Sequence, residues 1–381
     1  MKRCLAIVMI LLICSNICTF SASAEEQPLS LNCKSAIIIE AETGKVLYEK
    51  NADQTLAPAS ITKVMTMLLV MEAISSGALH YEDRVTASAH AASMGGSQIW
   101  LEPGEEMSVD ELIRATMIAS ANDAAVALAE KVSGSEEAFV LRMNEKATEL
   151  GMENTKFCNA AGLDEEGHLT TAHDIGLMCR ALLEYDEIQN YSTVWMDSLR
   201  DGTTELVNTN KLVHSYDGIT GLKTGTTGQA GRCLAASAKK NNFHVIAVIL
   251  GCDNNEDRYG GAEKMLDWAF ANFESVVPKD AAFDMESVTV LHGVSQSVAV
   301  YSDIRNPVIV EKGQKDKLQY RVTVAKDVQA PVEEGQNIGS VQVILGEEVL
   351  GTYAICCKNE VKEMDLFTGM MLFFQEILKI S

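Results

Sequence analysis

The periodicity of the chain changes at Pro278, and this change calls for two structurally unlike parts. Upstream, from Leu31 to about Val277, helical and strand patterns alternate. Ser35–Glu40 and Val46–Lys50 flank the turn Glu42-Thr43-Gly44 as a hairpin. Ile61–Ile74, Val109–Lys131 and Glu136–Leu150 repeat apolar residues at helical spacing, and His244–Leu250 is a short apolar run suited to a buried strand. Such a mixture predicts an α/β domain, a sheet covered by helices. Downstream, Ser287–Leu291, Ser297–Tyr301, Leu318–Val324 and Ser340–Leu345 alternate with period two. Turns at Gly293, Gly313, Gly335 and Gly346 separate them, which predicts a small all-β sandwich of roughly 85 residues. With 47% apolar residues, a chain of 381 can bury more than one core.

Residues 1–24 carry a basic start (Lys2, Arg3), an apolar run from Leu5 to Ile13 and the small-residue triplet Ala22-Ser23-Ala24. This is the pattern of a secretory signal peptide cleaved after Ala24, since the run is shorter than the roughly 20 residues of a membrane span. Lipidation at Cys18 is disfavoured because Asn16 and Ile17, not small residues, precede it. At the other end, Lys362–Ile380 puts Phe367, Met370, Met371, Phe374, Ile377 and Leu378 on one helical face. Asp365, Thr368, Gln375, Glu376 and Lys379 fall opposite, with Leu372 the misfit. Polar residues at every turn exclude a transmembrane span. The apolar face either docks on its own domain or lies in the plane of a membrane, and its phenylalanines and methionines favour the membrane. The expected organisation is a signal peptide (1–24), a catalytic domain (25–277), a β-sandwich (278–360) and an amphipathic anchor helix (361–381).

Loss of Lys2 and Arg3 with the signal leaves 29 basic against 53 acidic residues, a net charge of −24, which argues against nucleic acid as a partner. Seven cysteines remain: Cys33, Cys158, Cys179, Cys233, Cys252, Cys356 and Cys357. The number is odd and no pair has zinc spacing, so most of them read as small buried apolar residues. Neither metal nor cofactor is expected.

Three short motifs carry chemistry: Ser60-Ile61-Thr62-Lys63, Ser120-Ala121-Asn122 and Lys223-Thr224-Gly225. Ser60 opens an apolar helical stretch, where a plain N-cap serine would also sit. Lys63, three residues on, falls on the same helical face within reach of its hydroxyl. Apolar neighbours Val64, Met65 and Met67 would desolvate that lysine, and burial or a nearby cation lowers its pKa toward that of a general base. Ser120-Ala121-Asn122 interrupts an apolar segment. By itself it is a helix–helix turn, but beside a Ser-Lys pair a second serine can relay protons and the Asn122 amide can hold a peptide. Lys223-Thr224-Gly225 lies in a small-residue stretch suited to a strand edge. There Gly225 permits close approach, and Lys223 and Thr224 offer a charge and a hydroxyl to a carboxylate.

In this order and spacing the motifs resemble the active site of penicillin-recognising serine enzymes. Ser35–Thr66, Gly95–Glu130, Phe139–Asp164 and Thr170–Leu183 resemble the D-alanyl-D-alanine carboxypeptidase family of low-molecular-mass penicillin-binding proteins, as do the sandwich and the terminal helix. The resemblance implies a serine D-Ala-D-Ala carboxypeptidase that trims peptidoglycan stem pentapeptides at the outer leaflet of the cytoplasmic membrane and is inhibited by β-lactams. Ser60 would be the acylated nucleophile, Lys63 its base, and Ser120 and Asn122 the second-motif pair. Lys223, Thr224 and Arg258 would hold the substrate carboxylate beside Gly225, with backbone N–H groups of Ser60 and Thr226 as the oxyanion hole. Ala121 stands where the family usually has glycine, and Thr226 where some members have histidine. His168, His173 and His214 read as structural or exposed. A class A β-lactamase is disfavoured because its Glu-x-x-Leu-Asn sequence is missing. A D,D-endopeptidase shares the site, and a catalytically silent cell-wall binding protein would have no use for the full motif set.

Overall fold

The computed structural model describes residues 29–278, 287–302, 304, 306–371 and 374. The chain divides into residues 1–31 and residues 32–381, and the architecture is that of the second unit. The expected signal peptide, 1–24, lies outside the described residues.

The first domain is built on strands β1 (Ser35–Glu40), β2 (Val46–Lys50), β3 (Ile219–Thr227), β4 (Gly231–Lys240) and β5 (Phe243–Cys252). They form one antiparallel sheet in the order β2-β1-β5-β4-β3. Central β5 is buried at every position, which explains why its residues read as a continuous apolar run. Helices α1 (Lys63–Ser75), α2 (Val109–Ile118), α3 (Asn122–Ser133), α4 (Glu136–Glu149), α5 (Ala172–Leu183) and α6 (Asn255–Asn272) pack around this sheet. Residues Lys63 to Met71 of α1 are all buried, so this helix has no polar face in its first two turns.

One expected helix, Val109–Lys131, is two. Ser120 adopts a left-handed conformation (φ +62°) and Ala121 is extended, while the Asn122 N–H is drawn out to Ser97 O at 2.7 Å. Tertiary contacts thus override a continuous apolar period. The break puts the second motif on a turn between α2 and α3 instead of inside a helix.

The second domain holds β6 (Phe273–Val276), β7 (Ser287–Leu291), β8 (Ser297–Ser302), β9 (Val308–Glu311), β10 (Gln319–Val324), β11 (Asp327–Gln329), β12 (Asn337–Leu345) and β13 (Glu348–Cys357). Six of them form a sheet in the order β10-β12-β13-β8-β7-β11, and β6 pairs with β9 as a ribbon. Val308 and Val310 of the ribbon pack against Val343 of the larger sheet, and Val288, Val290, Val298, Val332 and Cys357 form a second, larger apolar cluster of this domain. Adjacent Cys356 and Cys357 lie on β13, both buried. The pairing continues past the last strand, with Val361 bonded to Val332 in both directions and the Met364 N–H donated to His292 O. Residues 366–371 are helical, and among the described residues no helix is long and apolar enough to cross a membrane.

Candidate active site

The first motif begins on a tight turn, Ala59–Thr62, that leads into α1. Ala59 has a positive φ (+49°), unusual for a residue with a side chain. Gly162 presses against it so closely that a Cβ there would lie 1.9 Å from Ala59 O. Asn159 holds the Gly162 loop by accepting the Gly162 and Leu163 N–H groups at 2.7 and 3.1 Å. From the other side, a Cβ on Gly225 would lie 2.9 Å from Pro58 O. The close approach that Gly225 permits is therefore first an approach of the chain to itself, seating the Ser60 turn on β3.

Lys63 is completely buried, and its Nζ lies 2.6 Å from Asn122 Oδ1, 2.7 Å from Ala161 O and 3.0 Å from Ser60 Oγ. Two of these neighbours can only accept. Asn122 shows its oxygen to Lys63 because its amide nitrogen donates to Gly95 O at 2.6 Å. A neutral amine has two N–H donors and one lone pair. When the amine is neutral and both donors go to Asn122 and Ala161, its lone pair is left for Ser60. Burial lowers the Lys63 pKa well below its ordinary value and the Lys223 charge adds to the effect, while Asp123 partly opposes it.

Asp123, also fully buried, accepts the Ile99 and Leu101 N–H groups at 3.1 and 3.0 Å. It thereby fixes the 95–101 loop that forms the wall beside Asn122. Lys223 donates to Ser120 Oγ at 2.8 Å and to Thr224 O at 3.2 Å. Burial, reinforced by Arg258, brings its pKa down to about 7. Thr224 donates to Thr209 Oγ1 at 2.7 Å. At the rim, Thr226 Oγ1 accepts from Arg258 Nη1 at 3.1 Å, and Arg258 Nη2 donates to the Tyr259 hydroxyl, which donates in turn to Thr209 O. The Arg258 Nε is buried with no partner among the described residues.

All nine expected site residues thus lie together along β3, the end strand of the sheet, and the elements packed on it. Ala161, Asp123, Thr209 and Tyr259 belong to the same network, and none of them stands in a readable motif. His168 is structural, as expected: its Nδ1 accepts the Cys158 N–H, so Nε2 carries the proton and donates to Thr62 Oγ1 at 2.9 Å, under the first motif. Burial pushes its pKa down to about 4, so it stays neutral. His214 stacks on Trp195 and His173 is partly exposed beside Asp174. A separate cavity of about 510 Å³ is lined by Glu72, Ser76, Leu79, Lys131 and Arg142 and includes none of the expected site residues.

Comparison with known proteins gives one consistent picture. A family model described as D-alanyl-D-alanine carboxypeptidase matches residues 21–254, and one described as penicillin-binding protein 5, C-terminal domain, matches residues 273–363. The chain is 41% identical over 379 residues to the D-alanyl-D-alanine carboxypeptidase DacF of Bacillus subtilis, covering 97% of each. Among solved structures, penicillin-binding protein 5 of Haemophilus influenzae superposes with a TM-score of 0.79 at 29% identity, over 88% of this chain and 99% of that one. Penicillin-binding protein D2 of Listeria monocytogenes, solved in an ampicillin-bound form, superposes with a TM-score of 0.56 at 31% identity, over 64% of this chain and 98% of that one.

Proposed function

The chain belongs to the D-alanyl-D-alanine carboxypeptidase family, and on that premise we propose a reaction centred on Ser60. The protein is a serine-type hydrolase of the bacterial cell wall that removes the terminal D-alanine from peptidoglycan stem peptides. The observation that carries the mechanism is the 3.0 Å contact between buried Lys63 Nζ and Ser60 Oγ, across which the neutral amine can take the hydroxyl proton. Ser60 gives its proton to Lys63 and attacks the carbonyl between the two D-alanines. Backbone N–H groups of Ser60 and Thr226 stabilise the developing oxyanion, at about 3 kcal/mol per donor. Ser120, whose oxygen accepts from Lys223, passes its own proton to the leaving nitrogen and receives in its place the proton that Lys63 took from Ser60, so that Lys63 is neutral again. The C–N bond breaks, D-alanine departs, and water hydrolyses the Ser60 ester with Lys63 again as base. Asn122 holds the peptide amide, while Thr224, Thr226, Lys223 and Arg258 receive the carboxylate. A β-lactam follows the same first step and stays as a long-lived ester, because its leaving group remains tethered.

Mass spectrometry of peptidoglycan fragments before and after incubation tests the substrate. Pentapeptide stems should become tetrapeptides while cross-linked dimers persist. Conversion of dimers to monomers with pentapeptides unchanged would mark the enzyme as an endopeptidase instead.

The protein acts outside the cytoplasm. We place its attachment in the C-terminal helix, following export by a signal peptide cleaved after Ala24. Leu366 and Phe367 are 85% and 74% exposed, and Met370, Met371 and Phe374 are about half exposed. An apolar surface of this kind supports insertion into the headgroup region, worth several kcal/mol at about 25 cal/mol per Å². Acidic Glu363 and Asp365 weaken any attraction to anionic lipid, so detergent should release the enzyme and salt should not. Because the sandwich is bonded through Met364, the informative truncation follows that residue. The shortened enzyme should appear in the soluble fraction with its activity on free peptide unchanged. Equal solubility of the full-length and shortened forms would reduce the helix to a docking element.

A further inference from the structure

Arg232 belongs to none of the three motifs. It sits on β4 directly opposite Thr226 of β3, so both side chains rise from the same face of the sheet. Arg258 reaches that face from α6 through its bond to Thr226 Oγ1. The two guanidinium groups are close enough to act on one another: burial first, and the charge of Arg232 in addition, hold the Arg258 pKa below its ordinary value against the opposing effect of Tyr259. Neither arginine has an ion-pair partner among the described residues, whereas Arg84 and Arg200 each have one and Arg114 has two. The Nε atoms of both Arg232 and Arg258 are buried without a hydrogen-bond acceptor. Buried N–H donors and adjacent like charges both cost free energy, and a single anion placed between them relieves both.

We propose that Arg232 is a second carboxylate-binding residue, forming with Arg258 and Thr226 a two-guanidinium cradle for the C-terminal carboxylate of the substrate. The assignment rests on the carboxypeptidase reading, which supplies the anion. Two planar forks suit a carboxylate better than one, because each can direct a pair of N–H groups at its oxygens. The enzyme would then select for a free chain terminus through two residues on different elements, β4 and α6.

The test compares an acyl-D-Ala-D-Ala peptide with the same peptide carrying a C-terminal amide, using wild type, Arg232→Gln and Arg232→Lys. For Arg232→Gln, KM for the acid should rise about ten-fold with kcat held within about two-fold, and the amide peptide should lose nothing. Arg232→Lys keeps the charge without the fork and should raise KM for the acid by a smaller factor. An unchanged KM for the acid, or an equal loss for acid and amide, overturns the proposal. Should Arg232→Gln fail to fold, Arg232→Lys alone decides on the same two criteria. Penicillin labelling of Ser60 in the variants separates the two levels: labelling that persists while KM for the acid is unmoved removes the cradle and leaves the catalytic reading intact.

Discussion

Ser60→Ala should abolish both penicillin acylation and D-alanine release, lowering turnover by a factor on the order of 10⁴ to 10⁶. The change removes one hydroxyl that, among the described residues, bonds to Lys63, on a turn held by backbone packing against Gly162 and Gly225. Folding should therefore be unaffected, and circular dichroism with a melting curve close to wild type would establish that the loss is chemical. Intact-protein mass spectrometry gives the decisive reading. If penicillin adds its mass to Ser60→Ala as readily as to wild type, another residue is the nucleophile.

Lys63→Arg should fall almost as far, by at least about 10³-fold in acylation rate, although the positive charge is kept. Acylation requires the neutral amine, and the lone pair at Ser60 exists only after the proton has left. Lysine can meet that requirement because burial and Lys223 lower its pKa, whereas arginine stays protonated at any workable pH. The pH profile distinguishes this from mere crowding. Wild-type acylation should climb as pH rises through the depressed Lys63 pKa, then fall as Lys223 gives up its proton from about 7 upward. The arginine variant should show no climb at any pH. Near-normal acylation by the variant at neutral pH would take Lys63 out of the mechanism.

How much of this could be read from the sequence depended on whether the information was local. Ser35–Glu40, Val46–Lys50 and Ser287–Leu291 have the expected ends because short alternating or apolar runs meet clear turn residues there. Glu348–Cys357 was not legible, since Gly351 breaks its pattern. In the fold that glycine sits where a Cβ would touch the Tyr353 hydroxyl at 2.9 Å. Val308–Glu311 is short and follows Pro307, which reads as a turn. The break at Ser120 was invisible as backbone geometry, although the polar residues Ser120, Asn122 and Asp123 within an apolar segment marked the place.

The site divides along the same line. Ser60 and Lys63 are three residues apart on one helical turn, so their meeting is legible in the spacing. Asn122 and Ala161 complete the lysine's surroundings from 59 and 98 residues away. Ala161 does so through a carbonyl that any residue could provide. Tyr259 and Thr209 join the network at the rim through long-range hydrogen bonds, one of them to a backbone carbonyl, and such contacts leave no pattern in a sequence.

Two lysines sealed under the catalytic serine also make folding a proton-releasing reaction. In the unfolded chain both titrate near 10.5, while in the native state Lys223 titrates near 7 and Lys63 well below its ordinary value. Between about 7 and 10.5 the unfolded chain therefore holds the extra proton on Lys223, and native stability gains as pH rises across that window. Below about 7 the native state must keep Lys223 charged in its buried position, so this contribution is then at its least favourable. An acidic medium thus works against the fold through the two lysines beside Ser60, and integrity and reactivity are best balanced on the neutral side.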